Sequence, residues 1–159
     1  VNKYVVGYLF NRDTNEVCLI QKNRPQWQKG RLNGVGGHIE AGESPASAMT
    51  REFWEEAGER NIAWRQFLFI TGTGYELNCF TAKADGANLK NIHSAADEII
   101  GWYPVESLPQ NILPNLKWIV PMADYKFSIT GTIIHESEEC LVPLIHGVYF
   151  DFSRNILPG

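Results

Sequence analysis

Between Lys29 and Gly42 the chain places glycines at 30, 34, 36, 37 and 42, and Ser44-Pro45 follows almost at once. No other feature constrains the fold as strongly. Glycines at this density lower helix propensity, let a backbone turn sharply, and let it come close to a neighbour or a ligand. Ser44 is a natural N-cap, and Pro45 fits the first helical position, where its missing N–H costs nothing. Ala46, Met49, Phe53 and Ala57 then recur at spacings of three and four, which makes one apolar stripe. Gly58 suits the C-terminal end. The pattern predicts a helix over 45–57 that hangs on a glycine-rich loop.

That helix is acidic. At 100° per residue, Glu52, Glu55 and Glu56 fall within about 100° of arc, read here as the face opposite the apolar stripe. Like charges at these spacings destabilise a helix by roughly 0.2–0.5 kcal/mol per pair. They also lie near the C-terminal end, where the helix dipole disfavours negative charge. A solvated acidic face is the ordinary meaning of three glutamates. The alternative is a site for a hard cation, since Mg²⁺ takes carboxylate oxygens and keeps waters and substrate phosphates as its other ligands.

Composition narrows the partners. A chain of 159 residues, 44% hydrophobic and 20% charged, is expected to form one soluble globular domain over 1–159. Its net charge of −4 argues against a nucleic-acid polymer, whose phosphates need neutralising. An anionic small molecule stays compatible, because a bound metal reverses the local field. No apolar run approaches membrane-span length, so no membrane contact is expected. The start, Val-Asn-Lys-Tyr, has no initiator Met and lacks the layout of a secretory signal. Cys18, Cys79 and Cys140 are too few and too scattered for a disulfide framework or a C-x-x-C zinc site. They predict buried, reduced thiols and a cytoplasmic location.

Around the helix, β-branched and aromatic residues predict strands over 4–10 and 17–20, joined by a turn over 11–15. Further strands are expected over 64–71, 75–82 and 99–103, with a polar loop over 83–97. Residues 116–123 read as a short helix that Pro121 ends or kinks. Residues 125–134 and 141–152 alternate as strands do. Many strands with two helices make a mixed α/β domain.

The segment Gly37-x5-Glu43-x7-Arg51-Glu52-Phe53-x-Glu55-Glu56-x-Gly58 resembles the Nudix box, G-x5-E-x7-R-E-U-x-E-E-x-G-U, with U a bulky apolar residue. Seven fixed residues match, and chance agreement at one register is on the order of 10⁻⁹. Glu59 departs from the last apolar position, which predicts an altered helix exit and unchanged chemistry. The resemblance implies a Nudix α/β/α sandwich with a mixed sheet. It implies hydrolysis of a diphosphate linkage in a nucleoside diphosphate linked to X, with Mg²⁺, or Mn²⁺ as a substitute. Glu52, Glu55 and Glu56 are by this resemblance the metal-binding acids, with the Gly37 carbonyl as a further ligand. Arg51 is expected to pair with Glu43 and brace the turn onto the helix, which suits a bidentate guanidinium. Outside the box, Glu98 in the loop before a strand matches a further acid near the metal or the base.

Upstream, Trp27-x2-Gly30-Arg31-Leu32-Asn33-Gly34-Val35-Gly36-Gly37 is similar to the branch of the family that hydrolyses oxidised purine nucleoside triphosphates to a monophosphate and pyrophosphate. That likeness assigns Trp27 and Asn33 to a base pocket. A ring face stacks on a base, and an amide both donates and accepts along its edge. Asn115 and Trp118 are the later candidates for the same pocket. Tyr75, sixteen residues past the box, is a spacing found in relatives that cleave dinucleoside polyphosphates. The alternatives are therefore ADP-ribose or dinucleoside-polyphosphate hydrolysis and, in another class, a Nudix-fold module that senses a nucleotide without cleaving it. Residues 140–159 have no counterpart in the resemblance and suggest an added hairpin. Either a monomer or a homodimer fits.

Overall fold

Residues 4–10 form an almost unbroken apolar run, and such a run fits a strand covered on both faces. The computed structural model describes residues 1–124 and the strand backbones at 131–135 and 148–150. Its elements are β1 (Asn2–Asn11), β2 (Glu16–Gln21), β3 (Leu32–Asn33), β4 (Val35–His38), α1 (Pro45–Ala57), β5 (Arg65–Gly72), β6 (Tyr75–Ala84), β7 (Ile99–Pro104), α2 (Leu116–Asp124), β8 (Gly131–His135) and β9 (Val148–Phe150). The strands order as β3-β2-β1-β6-β5-β8-β9, with β4 bonded to β1 and β7 to β2. The sheet is mixed: β1 runs parallel to β6 and β5 parallel to β8, and the other pairs are antiparallel. This is the expected α/β/α sandwich.

One edge of β1 is shared between two partners. Residues 9–11 pair with β2, whereas residues 4–7 pair with β4. Residues 32–38 fill the split, pairing first with β2 and then with β1. Glycine density alone predicts no strand in this stretch. The stretch forms strands because the divergence of β1 and β2 offers free backbone partners. Gly34 sits at the crossing, where a Cβ would lie 2.7 Å from the Val6 side chain and 2.8 Å from the Gly7 carbonyl. Only glycine fits that gap.

Alternation along β1 divides the core in two. Val5 and Leu9 face α1, where they join Ile20, Val35, Met49 and Phe53. Val6, Tyr8 and Phe10 face α2, with Leu116, Ile119 and Val120. Phe53 is fully buried and meets Trp64 edge to face, with ring centroids 5.1 Å apart.

Pro121 does not end α2, which runs on to Asp124. Tertiary contacts offset the stability that the proline costs the helix. Four residues of the helix are buried, and β6 side chains take its last carbonyls. The Thr81 hydroxyl donates to the Ala123 carbonyl at 2.8 Å, and the Lys83 ammonium to that of Asp124 at 2.6 Å. Cys18 and Cys79 are buried free thiols, as expected. Cys140 and the expected hairpin over 140–159 lie outside the described residues, apart from the backbone of β9, which pairs antiparallel with β8.

Because Phe53 carries the seat of α1, Phe53→Ala should destabilise the protein by about 3–5 kcal/mol. The check is the urea midpoint, which should fall with little change in the slope of the transition.

Candidate active site

The helix forms where its caps place it. The Ser44 hydroxyl accepts from the Ser47 N–H at 3.2 Å, and Gly58, at φ 77°, closes the other end. Arg51 then gathers the surroundings. Its Nε and Nη2 bind the two Glu43 oxygens, each at 3.0 Å, and Nη2 also donates to the His38 carbonyl at 2.8 Å. Its Nη1 reaches Glu52 at 2.9 Å and Glu55 at 3.3 Å. The expected Arg51–Glu43 pair is thus formed, with both carboxylate oxygens engaged. These hydrogen bonds hold the Glu43 carboxyl below the usual carboxylate range.

The carboxylates do not form a solvated face opposite the stripe. Side-chain exposure is 12% for Glu52 and 16% for Glu56, against 47% for Glu55. The reason is angular: Glu56 lies three residues past Phe53 and next to Ala57, both buried, so it flanks the stripe. β4 covers that flank. A Cβ on Gly37 would lie 2.5 Å from a Glu52 carboxylate oxygen, so the glycine makes room for the acid.

Glu98 lies just before β7, and its side chain is almost wholly buried. It accepts from the Lys22 ammonium at 2.7 Å and from the Asn23 N–H at 2.6 Å. The same ammonium lies 3.7 Å from Glu56. The sequence reading missed Lys22, although a signal was present. It follows Ile20 by two residues at the end of β2, and Ile20 faces α1, so alternation turns Lys22 toward the acidic helix.

Five carboxylates, Glu43, Glu52, Glu55, Glu56 and Glu98, therefore surround two cations, Arg51 and Lys22. Burial pushes the Glu56 carboxyl up to about 7. Lys22 draws it down, and the nearby Glu98 and Glu52 charges raise it further. Glu52 is also raised, chiefly by burial. The donors are hard oxygens, and Glu56 Oε2 is buried without a hydrogen-bond partner. Among the described residues, no three acidic, His or Cys side chains converge on one point. Mg²⁺ takes hard oxygen donors and keeps waters and phosphates as its other ligands, so the chemistry of this donor set is the point of agreement. The residues fit such an ion.

The base-pocket candidates fall into two groups. Trp27 is exposed in a 3₁₀ turn at Gln26–Gln28. Asn33 is joined to this turn, its Nδ2 donating to Gln28 Oε1 at 3.3 Å. Asn115 opens α2, with its carbonyl accepting from the Ile119 N–H at 3.0 Å. Trp118 packs on the core that faces α2, on the far side of the sheet from the carboxylates, with its indole nitrogen buried and unpartnered. The stretch before Asn115 still touches β3, because the Leu113 N–H donates to the Leu32 carbonyl at 2.9 Å. Tyr75 packs against the α2-side core.

Residues 2–123 match the family described as NUDIX domain. The chain belongs to the Nudix family. Its similar relatives include 8-oxo-dGDP phosphatase NUDT18 of Mus musculus and of Homo sapiens. Each is 32% identical over 120 residues, which are 67% of this chain and 33% of the relative. The chain thus spans about a third of the length of these curated relatives. Among solved structures, a MutT protein from Bacillus halodurans superposes with a TM-score of 0.65 at 20% identity, over 95% of this chain and 98% of that one. A NUDIX hydrolase from Nitrosomonas europaea gives 0.68 at 16% identity, over 86% and 79%. These two likenesses are of fold.

The Nudix box departs from its pattern only at Glu59, and the structure gives that residue a different task. Its carboxylate accepts from the Arg60 N–H at 2.8 Å and the Asn61 N–H at 2.7 Å, so a polar cap holds the helix exit where the box has apolar packing.

Two tests follow from this geometry. The folded-state pKa of Glu56 lies above its unfolded value of about 4.3. Its protonated form is therefore favoured by folding, and this contribution is full below the unfolded pKa and lost as pH rises through about 7. Metal-free protein should melt lower at pH 8 than at pH 5, by a difference on the order of 1–3 kcal/mol. Glu56→Gln should flatten most of the profile and leave a shallower slope of the same sign from Glu52, which burial also raises. Glu43 acts in the opposite sense and only at acid pH, so it does not disturb this window. For the brace, Arg51→Ala and Glu43→Ala should each lower activity, and the double variant should be little worse than either single one. Additive losses in kcat/KM would separate the two residues functionally.

Proposed function

We propose that this Nudix pyrophosphohydrolase cleaves the diphosphate linkage of a purine nucleoside di- or triphosphate, oxidised bases included. The observation that carries the reading is Glu56, whose buried, unpartnered oxygen lies beside the Lys22–Glu98 pair on a helix tied down by Arg51. Among Glu52, Glu55, Glu56 and the Gly37 carbonyl, one or two carboxylates would hold Mg²⁺ or Mn²⁺ directly and the others would act through its bound waters. Such an ion supplies positive charge to the phosphate oxygens and lowers the pKa of water. Glu98 is not on the helix and can take the proton of the attacking water without giving up a metal contact. Lys22 and the Asn23 N–H fix its orientation. Trp27 and Asn33 receive the base. Relatives named 8-oxo-dGDP phosphatase support a purine substrate and direct attention to diphosphates as well as triphosphates.

The experiment is chromatographic measurement of the nucleotide products, with and without Mg²⁺, across dGDP, dGTP, their 8-oxo forms, ADP-ribose and a dinucleoside polyphosphate. Purine nucleotides should lead, and Glu56→Gln should lower turnover by several orders of magnitude while the protein stays folded. Leadership by ADP-ribose would overturn the purine reading. Near-parental turnover in Glu56→Gln would remove the helix from the chemistry.

A further inference from the structure

The amide of Asn33 is not free to turn. Its Oδ1 accepts from the Gly34 backbone N–H at 2.8 Å, and a backbone donor can face only the oxygen end of that amide. One Nδ2 hydrogen is then directed at Gln28, whose Oε1 accepts it at 3.3 Å. This settles the orientation of the second amide too, since only its oxygen can face an N–H donor. Both amide oxygens are thereby turned toward protein partners. Each oxygen keeps one lone pair beside its protein partner, and the hydrogens left over are one on Asn33 Nδ2 and two on Gln28 Nε2. Gln28 is the residue next to Trp27, whose ring is more than half exposed.

An amide free at both ends suits an adenine edge, because its oxygen accepts from N6–H while its N–H donates to N7. That pairing needs the oxygen that Asn33 has turned toward Gly34. A 6-oxopurine instead presents the acceptor O6, beside N7 as a second acceptor in the unoxidised base and beside an N7–H in its 8-oxo form. Donors match O6 in either form, whereas the amino group of a 6-aminopurine meets them hydrogen to hydrogen and leaves polar groups unpaired.

We propose that Gln28 is a specificity-determining residue, which with Asn33 forms an edge dominated by N–H donors beside Trp27 and selects 6-oxopurine over 6-aminopurine nucleotides. The inference rests on the reading of Trp27 and Asn33 as the base pocket and adds to it a residue and a direction of preference. Gln28 lies in a short 3₁₀ turn that contributes no residue to the buried core, so its substitution leaves the fold intact.

The test compares kcat/KM for dITP, dGTP and dATP in the Mg²⁺-loaded protein, its Gln28→Ala and Gln28→Glu variants and, as a control on the pocket, Trp27→Ala. The parent should prefer dITP and dGTP to dATP. Gln28→Ala should reduce the preference by roughly tenfold, the scale of one misplaced hydrogen bond. Gln28→Glu keeps an acceptor for Asn33 but replaces the donors with acceptors, so the dITP-to-dATP ratio should fall further and move toward inversion. A merely structural role would lower all three nucleotides together and leave the ratio unchanged. An unchanged ratio in Gln28→Glu, with KM still raised by Trp27→Ala, would overturn this inference and leave the pocket standing. An unchanged KM in Trp27→Ala would remove the pocket, and this inference with it.

Discussion

The site depends on a single guanidinium. Arg51 has five N–H donors in a rigid plane, and the structure spends them on the end of a strand, a loop and its own helix. His38 contributes a carbonyl, Glu43 both carboxylate oxygens, and Glu52 and Glu55 one oxygen each. No other side chain type does this. A lysine could neutralise charge, but its three donors on one nitrogen cannot match a bidentate carboxylate and a carbonyl at fixed angles. The fork therefore does more than balance the acids. It sets how far the glycine-rich strand stands from the helix, and so where every carboxylate of the helix lies.

The acids that remain are held at a disadvantage. Burial raises Glu56 and Glu52, and Lys22 and Arg51 offset only part of the crowding. A fold selected for stability alone would replace Glu56 with an apolar residue, since it flanks the core stripe. Retaining it fits a cost borne for function. In the proposed reading a divalent cation and a proton would compete for the same oxygens, which would tie metal affinity to pH. The upward push that burial gives Glu56 agrees with the cation site proposed above.

The helix, its caps and its acids were legible because they are local. Ser44, Pro45 and Gly58 act within one turn of chain, and the apolar spacing of Met49, Phe53 and Ala57 needs no partner to be recognised. The Arg51–Glu43 pair was legible from the motif. What escaped depends on residues far apart in sequence. Lys22 meets Glu98 across 76 positions. Pro121 lies within a helix that β6 holds from outside through Thr81 and Lys83. The face of Glu56 was misread because the stripe was treated as a narrow line. In the fold β4 packs on the helix flank, so residues at the margin of the stripe are buried as well. The glycine stretch shows the same limit from the other side. Its composition announced close approach, but not that the neighbour would be β1 and that the stretch would itself pair as strands.

The split edge of β1 links these pieces. One continuous stretch leaves β2 at Asn33, crosses at Gly34 and joins β1 as far as His38. Asn33, which we assign to the base, and Gly37, which makes room for Glu52, stand four residues apart on it. At about 3.3 Å per extended residue that is roughly 13 Å, the length scale of a nucleotide. On the assignments proposed above, base recognition and phosphate chemistry would be spaced by one short run of backbone, clamped by β2 at one end and by Arg51 at the other. Such a ruler is rigid because it is made of ladder hydrogen bonds. Its glycines are required by contact: a side chain at Gly34 would push β1 and its partner apart, and one at Gly37 would displace the acid. The same residues that make the stretch a poor helix former make it a measured bridge between the two halves of the site.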